Sequence, residues 1–297
     1  MTPIIVLVLA LAGWHVDLIA LPCPLPPEKM SCVPGGWFLR GRDVDDHKCD
    51  QAGRPRTSSP DTVPQARIWI STFFMDRFEV TNADYQECVR KKACRKSGPR
   101  YGDFRAPKQP ITGVSWFDAV DYCRFRGKRL PTEAEWEKAA RGSEGDTHPW
   151  GNAPSDCERA VIRDRKGRSC GQKKRVGDNP GTGRVMEVGS RPAGRYSLHD
   201  LMGNAEEWVA DWYSSSYAEC GADCLGRDPK GPCQGQLACH GRRFRVVRGG
   251  SWYWPADHAT GYHRRPHYPD NAPNRFHHFG FRCAADAPGV LRSEEPN

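Results

Sequence analysis

Five histidines, His258, His263, His267, His277 and His278, fall within one 21-residue window. Imidazole suits copper(II), iron or zinc, and its titration near neutrality also suits proton transfer. The spacing matches no established ligand motif, and Arg264, Arg265 and Arg275 in the same stretch would repel a cation. The plainer reading is a set of solvent-facing loop histidines; the alternative is a metal set of His258, His263 and His267. Aromatic residues interleave with them: Trp252, Tyr253, Trp254, Tyr262 and Tyr268. Aromatic and arginine-rich surfaces make good anchors for a peptide or a sugar, although Trp252 also reads as core.

Cysteine chemistry is the second candidate. Thirteen cysteines are many for a compartment that keeps thiols reduced, and several come in close pairs: Cys88 with Cys94, Cys157 with Cys170, Cys220 with Cys224, Cys233 with Cys239. Zinc does not suit the last four, whose spacings of 4, 9 and 6 in a Gly-rich loop are not those of a knuckle. The pattern therefore predicts an oxidising compartment and disulfides, with the odd cysteine left over. Residues 4–11 form an apolar run too short to span a bilayer, followed by small residues at Ala12 and Gly13. We expect a signal peptide over 1–22, cut between Ala12 and Ala20, and an exported protein, periplasmic or secreted, with no stable membrane span.

The chain must position these groups with few long elements. Of its 297 residues 38% are hydrophobic, and 30 Gly, 25 Pro and 10 Trp predict aromatic anchors set among many turns. The 44 basic and 36 acidic residues are interspersed, and no recognition-helix or RNA-binding signature stands out, so nucleic acid is not an expected partner. The charge of +8 reads as a solvated surface. Strands are predicted after the Val33-Pro34-Gly35-Gly36 turn, over 68–74, over 245–248 and over 280–284. Three helices are predicted from their caps: Thr81 before 82–91 with Asp84, Ser115 with Asp118 and a stop at Gly127, and Thr132 with Glu135 and a stop at Gly142.

Read together, the blocks spell a pattern. P-I-T-G-V-S-W-F-D-A-V-D-Y-C, then G-K-R-L-P-T-E-A-E-W-E-K-A-A-R-G from Gly127, P-W-G-N at Pro149, G-N-A-E-E-W from Gly203, R-G-G-S-W from Arg248 and G-F-R-C-A from Gly280 follow in order. The chain resembles the formylglycine-generating enzyme, or sulfatase-modifying factor, family. The resemblance implies an α+β fold: one irregular, disulfide-stapled domain related to C-type lectins, with little regular secondary structure. We expect it over 28–286, with a tail over 287–297. The resemblance also implies a disulfide between Cys123 and Cys283.

The family's site residues carry over in part. Its calcium loop resembles the segment from Asp200 to Glu207, where Asp200 and Glu207 would give side chains and Gly203 and Ala205 their carbonyls, the hard oxygens that calcium takes. At the family's other calcium site Val161, beside Ile162, stands where an Asn is expected. Members that oxidise a substrate cysteine to formylglycine bind copper(I) through two thiolates after the Gly-Gly-Ser motif, and the resemblance puts Trp254 and Ala259 at those places. Glu206 replaces an aromatic beside them. We therefore expect calcium but not copper, and no formylglycine-generating activity. The expected role is binding of a peptide or small molecule in the family cleft, at Ser251, Trp252, Tyr253 and Tyr262. The alternative is a metal-dependent oxidase of the same family, formylglycine-generating or of the non-heme iron type, rebuilt around the histidines.

Overall fold

The computed structural model describes residues 23–43, 60–173, 183–270 and 277–289. The expected leader, Cys49, Arg275 and most of the expected tail lie outside these residues. In chain order the strands and α-helices are β1 (Met30–Val33), β2 (Gly36–Arg40), β3 (Ala66–Ile70), β4 (Phe73–Asp76), α1 (Asn82–Arg90), α2 (Trp116–Phe125) and α3 (Glu133–Arg141). There follow β5 (Glu206–Trp212), α4 (Tyr217–Cys220), β6 (Arg245–Arg248), β7 (Arg264–His267), β8 (Phe279–Gly280) and β9 (Ala284–Asp286). They form three small sheets ordered β1-β4-β9, β2-β3 and β7-β6-β5-β8, antiparallel except for the β5–β8 pair.

All three predicted helix starts carry a full capping box. The hydroxyls of Thr81, Ser115 and Thr132 accept from the amides of Asp84, Asp118 and Glu135, whose carboxylates accept in return from the cap amides. Each box satisfies amides that a short helix would otherwise leave orphaned. α3 ends at Gly142, whose φ of +67° lies in the left-handed region that favours glycine.

Two strand predictions need correction. The run expected over 68–74 is broken at Ser71, whose amide and hydroxyl donate to the Asp228 carboxylate at 2.6 and 2.7 Å, and the Gly35 amide donates to Thr72 Oγ1 at 2.9 Å. Side-chain bonds replace ladder bonds there, so β3 and β4 enter different sheets. The run expected over 280–284 is likewise divided, because Arg282 leaves the ladder to bury its guanidinium against Glu207.

One core surrounds Trp136 of α3 with Phe38, Ile68, Ile70 and Phe73; a second surrounds Trp208 of β5 with Tyr85, Tyr122 and Phe281. A buried tryptophan removes some 200 Å² from water, on the order of 5 kcal/mol of transfer free energy. Within the second core Cys123 bonds Cys283 just before β9, spanning 160 residues. On the chain-entropy model, closure of so long a loop contributes about 5 kcal/mol. Cys88–Cys94, Cys157–Cys170, Cys220–Cys224 and Cys233–Cys239 are also bonded. Cys23–Cys32 is a further pair, and its second sulfur lies in a strand, β1, that the sequence did not announce. Ala287 packs on Met30 and Phe74, so the packed body runs at least one residue beyond the expected end at 286.

The basic residues are not all a solvated surface. Arg40, Arg245, Arg248, Arg264 and Arg282 are at most 2% exposed. Arg248 bridges Glu133 and Glu137 at 2.9 and 2.8 Å, and Arg264 grips Glu133 through two nitrogens. Arg245 lies between the faces of Trp116 and Trp212 at 3.9 and 3.6 Å, and burial lowers its pKa to about 9.

Candidate functional site

β5 begins with two glutamates inside an otherwise buried strand, and an acid there needs a counter-charge. Glu206, 1% exposed, receives it from β7: Arg265 Nη1 donates to both carboxylate oxygens at 2.8 and 3.0 Å. Burial raises the Glu206 pKa, while Arg265 and then the Trp254 indole draw it back. The Arg265 guanidinium also lies 4.6 Å over the Trp254 ring. Trp254 meets Tyr253 at a 72° angle with centroids 4.9 Å apart, and the Arg168 guanidinium sits 3.7 Å over Tyr253. Tyr253, Trp254, Arg168 and Arg265 are all half-buried, forming an open aromatic and guanidinium face.

The histidines divide. His258 stacks on Trp254 at 4.8 Å and meets His263 at 4.5 Å. His267 instead packs on Phe279 and Trp208, so His258, His263 and His267 are not one ligand set. Among the described residues no group of three or more His, Cys, Asp or Glu side chains could hold a metal ion. Burial lowers the His263 pKa to about 3, with His258 and Arg265 adding to the effect; burial also lowers His258, His267 and His278. These rings are neutral at physiological pH.

The cleft residues expected from sequence also separate. Ser251 and Trp252 are 0% exposed, and Trp252 packs with Phe104, Val161 and Val185, so neither walls an open groove. The Tyr262 ring lies near the guanidiniums of Arg42 and Arg141 and lines a different, open cavity of about 390 Å³ with Gln65 and Asn152. Tyr253 remains, and Trp254 beside it. Ala259 is fully buried.

The Asp200–Glu207 segment turns tightly, with φ of +56° at Asp200, +79° at Gly203 and +55° at Asn204. Asp200 accepts from the Gly189 amide at 2.5 Å. Glu79 accepts from Asn204 Nδ2 and the Ala205 amide at 2.8 and 3.0 Å. Glu207 accepts from Arg282 Nε through both oxygens, from Arg282 Nη2 at 2.6 Å and from Trp136 Nε1 at 2.8 Å. Three N–H groups, one of them shared between both oxygens, therefore face a carboxylate that has about four acceptor directions. Calcium takes six to eight oxygens, waters among them, and the expected ligands Asp200, Gly203, Ala205 and Glu207 all lie on or next to this turn. Val161 is buried, and its carbonyl accepts from the Asn204 amide.

The sequence had flagged Glu206 as a replacement and Arg265 only as a charge hostile to cations. Arg168 carried no signal, because nothing near it in the chain announces Tyr253.

Comparison with known proteins now fixes the class. Residues 20–287 match the family model "Sulfatase-modifying factor enzyme 1-like domain". The chain belongs to that family. It is 28% identical to the formylglycine-generating enzyme of Bos taurus over 89% of this chain and 76% of that protein. It is 30% identical to the inactive C-alpha-formylglycine-generating enzyme 2 of Mus musculus, over 86% of this chain and 85% of that one. The fold matches the structure of PvdO from Pseudomonas aeruginosa with a TM-score of 0.62 and 25% identity, over 87% of this chain and 94% of PvdO.

Proposed function

We propose that this chain is an exported binding member of the sulfatase-modifying factor family, which takes a peptide or small molecule on the Tyr253–Trp254 face and does not oxidise cysteine to formylglycine. One observation carries the reading: where two thiolates are expected stand an indole and a methyl group, Trp254 and the buried Ala259. Neither can ligate copper(I), which favours soft sulfur. Twelve cysteines among the described residues are consumed in six disulfides, so no thiol there can substitute. Six disulfides also support an oxidising destination, and among the described residues no helix is long and apolar enough to cross a membrane. The similarity to a mouse relative named inactive supports the same reading.

Oxygen uptake tests it. Purified protein with copper(I) or iron(II) and a cysteine-containing peptide should consume no more oxygen than metal and peptide alone. Sustained uptake that requires the protein would overturn the proposal.

A further inference from the structure

We propose that the Tyr253–Trp254 face receives an acidic peptide, whose carboxylates dock on Arg168 and Arg265. This rests on the binding reading above and adds the charge of the ligand. Arg265 spends only Nη1 on Glu206, while Nε and Nη2 donate to no group among the described residues; its side chain is 26% exposed. Arg168 makes no hydrogen bond or ion pair among the described residues and is held by the Tyr253 ring alone, at 3.7 Å. Stacking fixes a guanidinium over a π face while leaving its in-plane N–H groups aimed outward, the arrangement that suits bidentate carboxylate recognition.

The two rings lie 4.9 Å apart at 72°, and each carries one guanidinium, Arg168 over Tyr253 at 3.7 Å and Arg265 over Trp254 at 4.6 Å. Local charge agrees. Glu206 is buried and committed to Arg265; a charge on the neighbouring His258 is disfavoured first by burial, is favoured by the exposed Asp257, and is opposed further by Arg265 and Arg163. The unshared Nε and Nη2 of Arg265 and the Arg168 guanidinium disfavour a cationic ligand and favour an oxyanion. The groups are half-buried on an open face, which suits an extended segment with two acidic side chains better than an enclosed small molecule.

The test is fluorescence anisotropy at moderate salt with a labelled peptide of alternating Glu and Gly, and its Gln counterpart. The Glu peptide should bind at least about tenfold more tightly, and Arg168→Gln should weaken it about tenfold, as the loss of one charge-assisted hydrogen bond predicts. The Arg265→Gln/Glu206→Gln double variant, which leaves no buried acid unpaired, should weaken it similarly. Arg124→Gln, at a side chain 77% exposed on α2, should leave it unchanged. Equal loss at Arg124 would mean generic charge and overturn the proposal. Equal binding of both peptides, still abolished by Trp254→Ala, overturns the acidic preference but keeps the binding face. Failure of every peptide to bind removes both.

Discussion

Replacing Arg265 by Gln leaves Glu206 buried with its partner gone. Two unit charges about 4 Å apart interact by about 4 kcal/mol at an effective dielectric of 20. Breaking a fully buried pair costs about 3 to 5 kcal/mol. Glu206 is 1% and Arg265 26% exposed, so solvent screens one partner and brings the cost below that range, to about 2 to 3 kcal/mol. The cost depends on pH. Burial already holds the Glu206 pKa above its ordinary value, and losing Arg265 raises it further. A group raised in the folded state contributes fully below its unfolded pKa of about 4.3 and loses that contribution as pH rises through the folded value. The variant should therefore match the parent near pH 4 and fall behind it by the full amount near pH 8, about 7 °C in melting temperature for a domain of this size. Urea unfolding followed by tryptophan fluorescence, with disulfides intact, measures both points. The Arg265→Gln/Glu206→Gln variant should recover to within about 1 kcal/mol, because both charges leave together. A deficit that is the same at both pH values, or under about 0.5 kcal/mol near pH 8, would refute the buried-pair argument.

Other outcomes follow from the same structure. Burial opposes the charged form of Glu137, but Arg248 and Arg141 more than offset it and bring its pKa to about 2. Its contribution is thus present above the unfolded carboxyl range and lost as pH falls toward 2, so Glu137→Gln should destabilise by about 3 kcal/mol at pH 7 and flatten the acid limb of the stability curve. Cys123→Ser with Cys283→Ser should cost about 5 kcal/mol in urea unfolding, against about 2 for the pair at Cys88 and Cys94, whose loop is only 6 residues. With Glu207 already held by Arg282 and Trp136, millimolar calcium should leave the melting temperature unchanged. A rise reversed by chelator would show that Glu207 can leave Arg282 for the ion.

Local chemistry was legible in the sequence and long-range pairing was not. Thr81, Ser115 and Thr132 each signal a helix start through a partner three residues away, so a short window contains the whole argument. The break at Ser71 depends on Asp228, and Glu206 depends on Arg265, so neither consequence is visible locally. The arginines mislead for the same reason: Arg248, Arg264 and Arg282 look like surface charges until the fold brings Glu133, Glu137 and Glu207 against them. Family resemblance supplied what spacing could not, above all the pairing of Cys123 with Cys283. It could not show that Ser251 and Trp252 are sealed in the core, or that His267 turns away from His258 and His263.

Trp254 and Ala259 stand where the family resemblance places two copper(I)-binding thiolates. The most direct measurement incubates the purified protein with copper(I), oxygen and a cysteine-containing peptide, then examines the peptide by mass spectrometry after aldehyde capture. The cysteine should survive unchanged; a captured aldehyde at that residue, formed only when the protein is present, would show that the chain oxidises cysteine without those two thiolates.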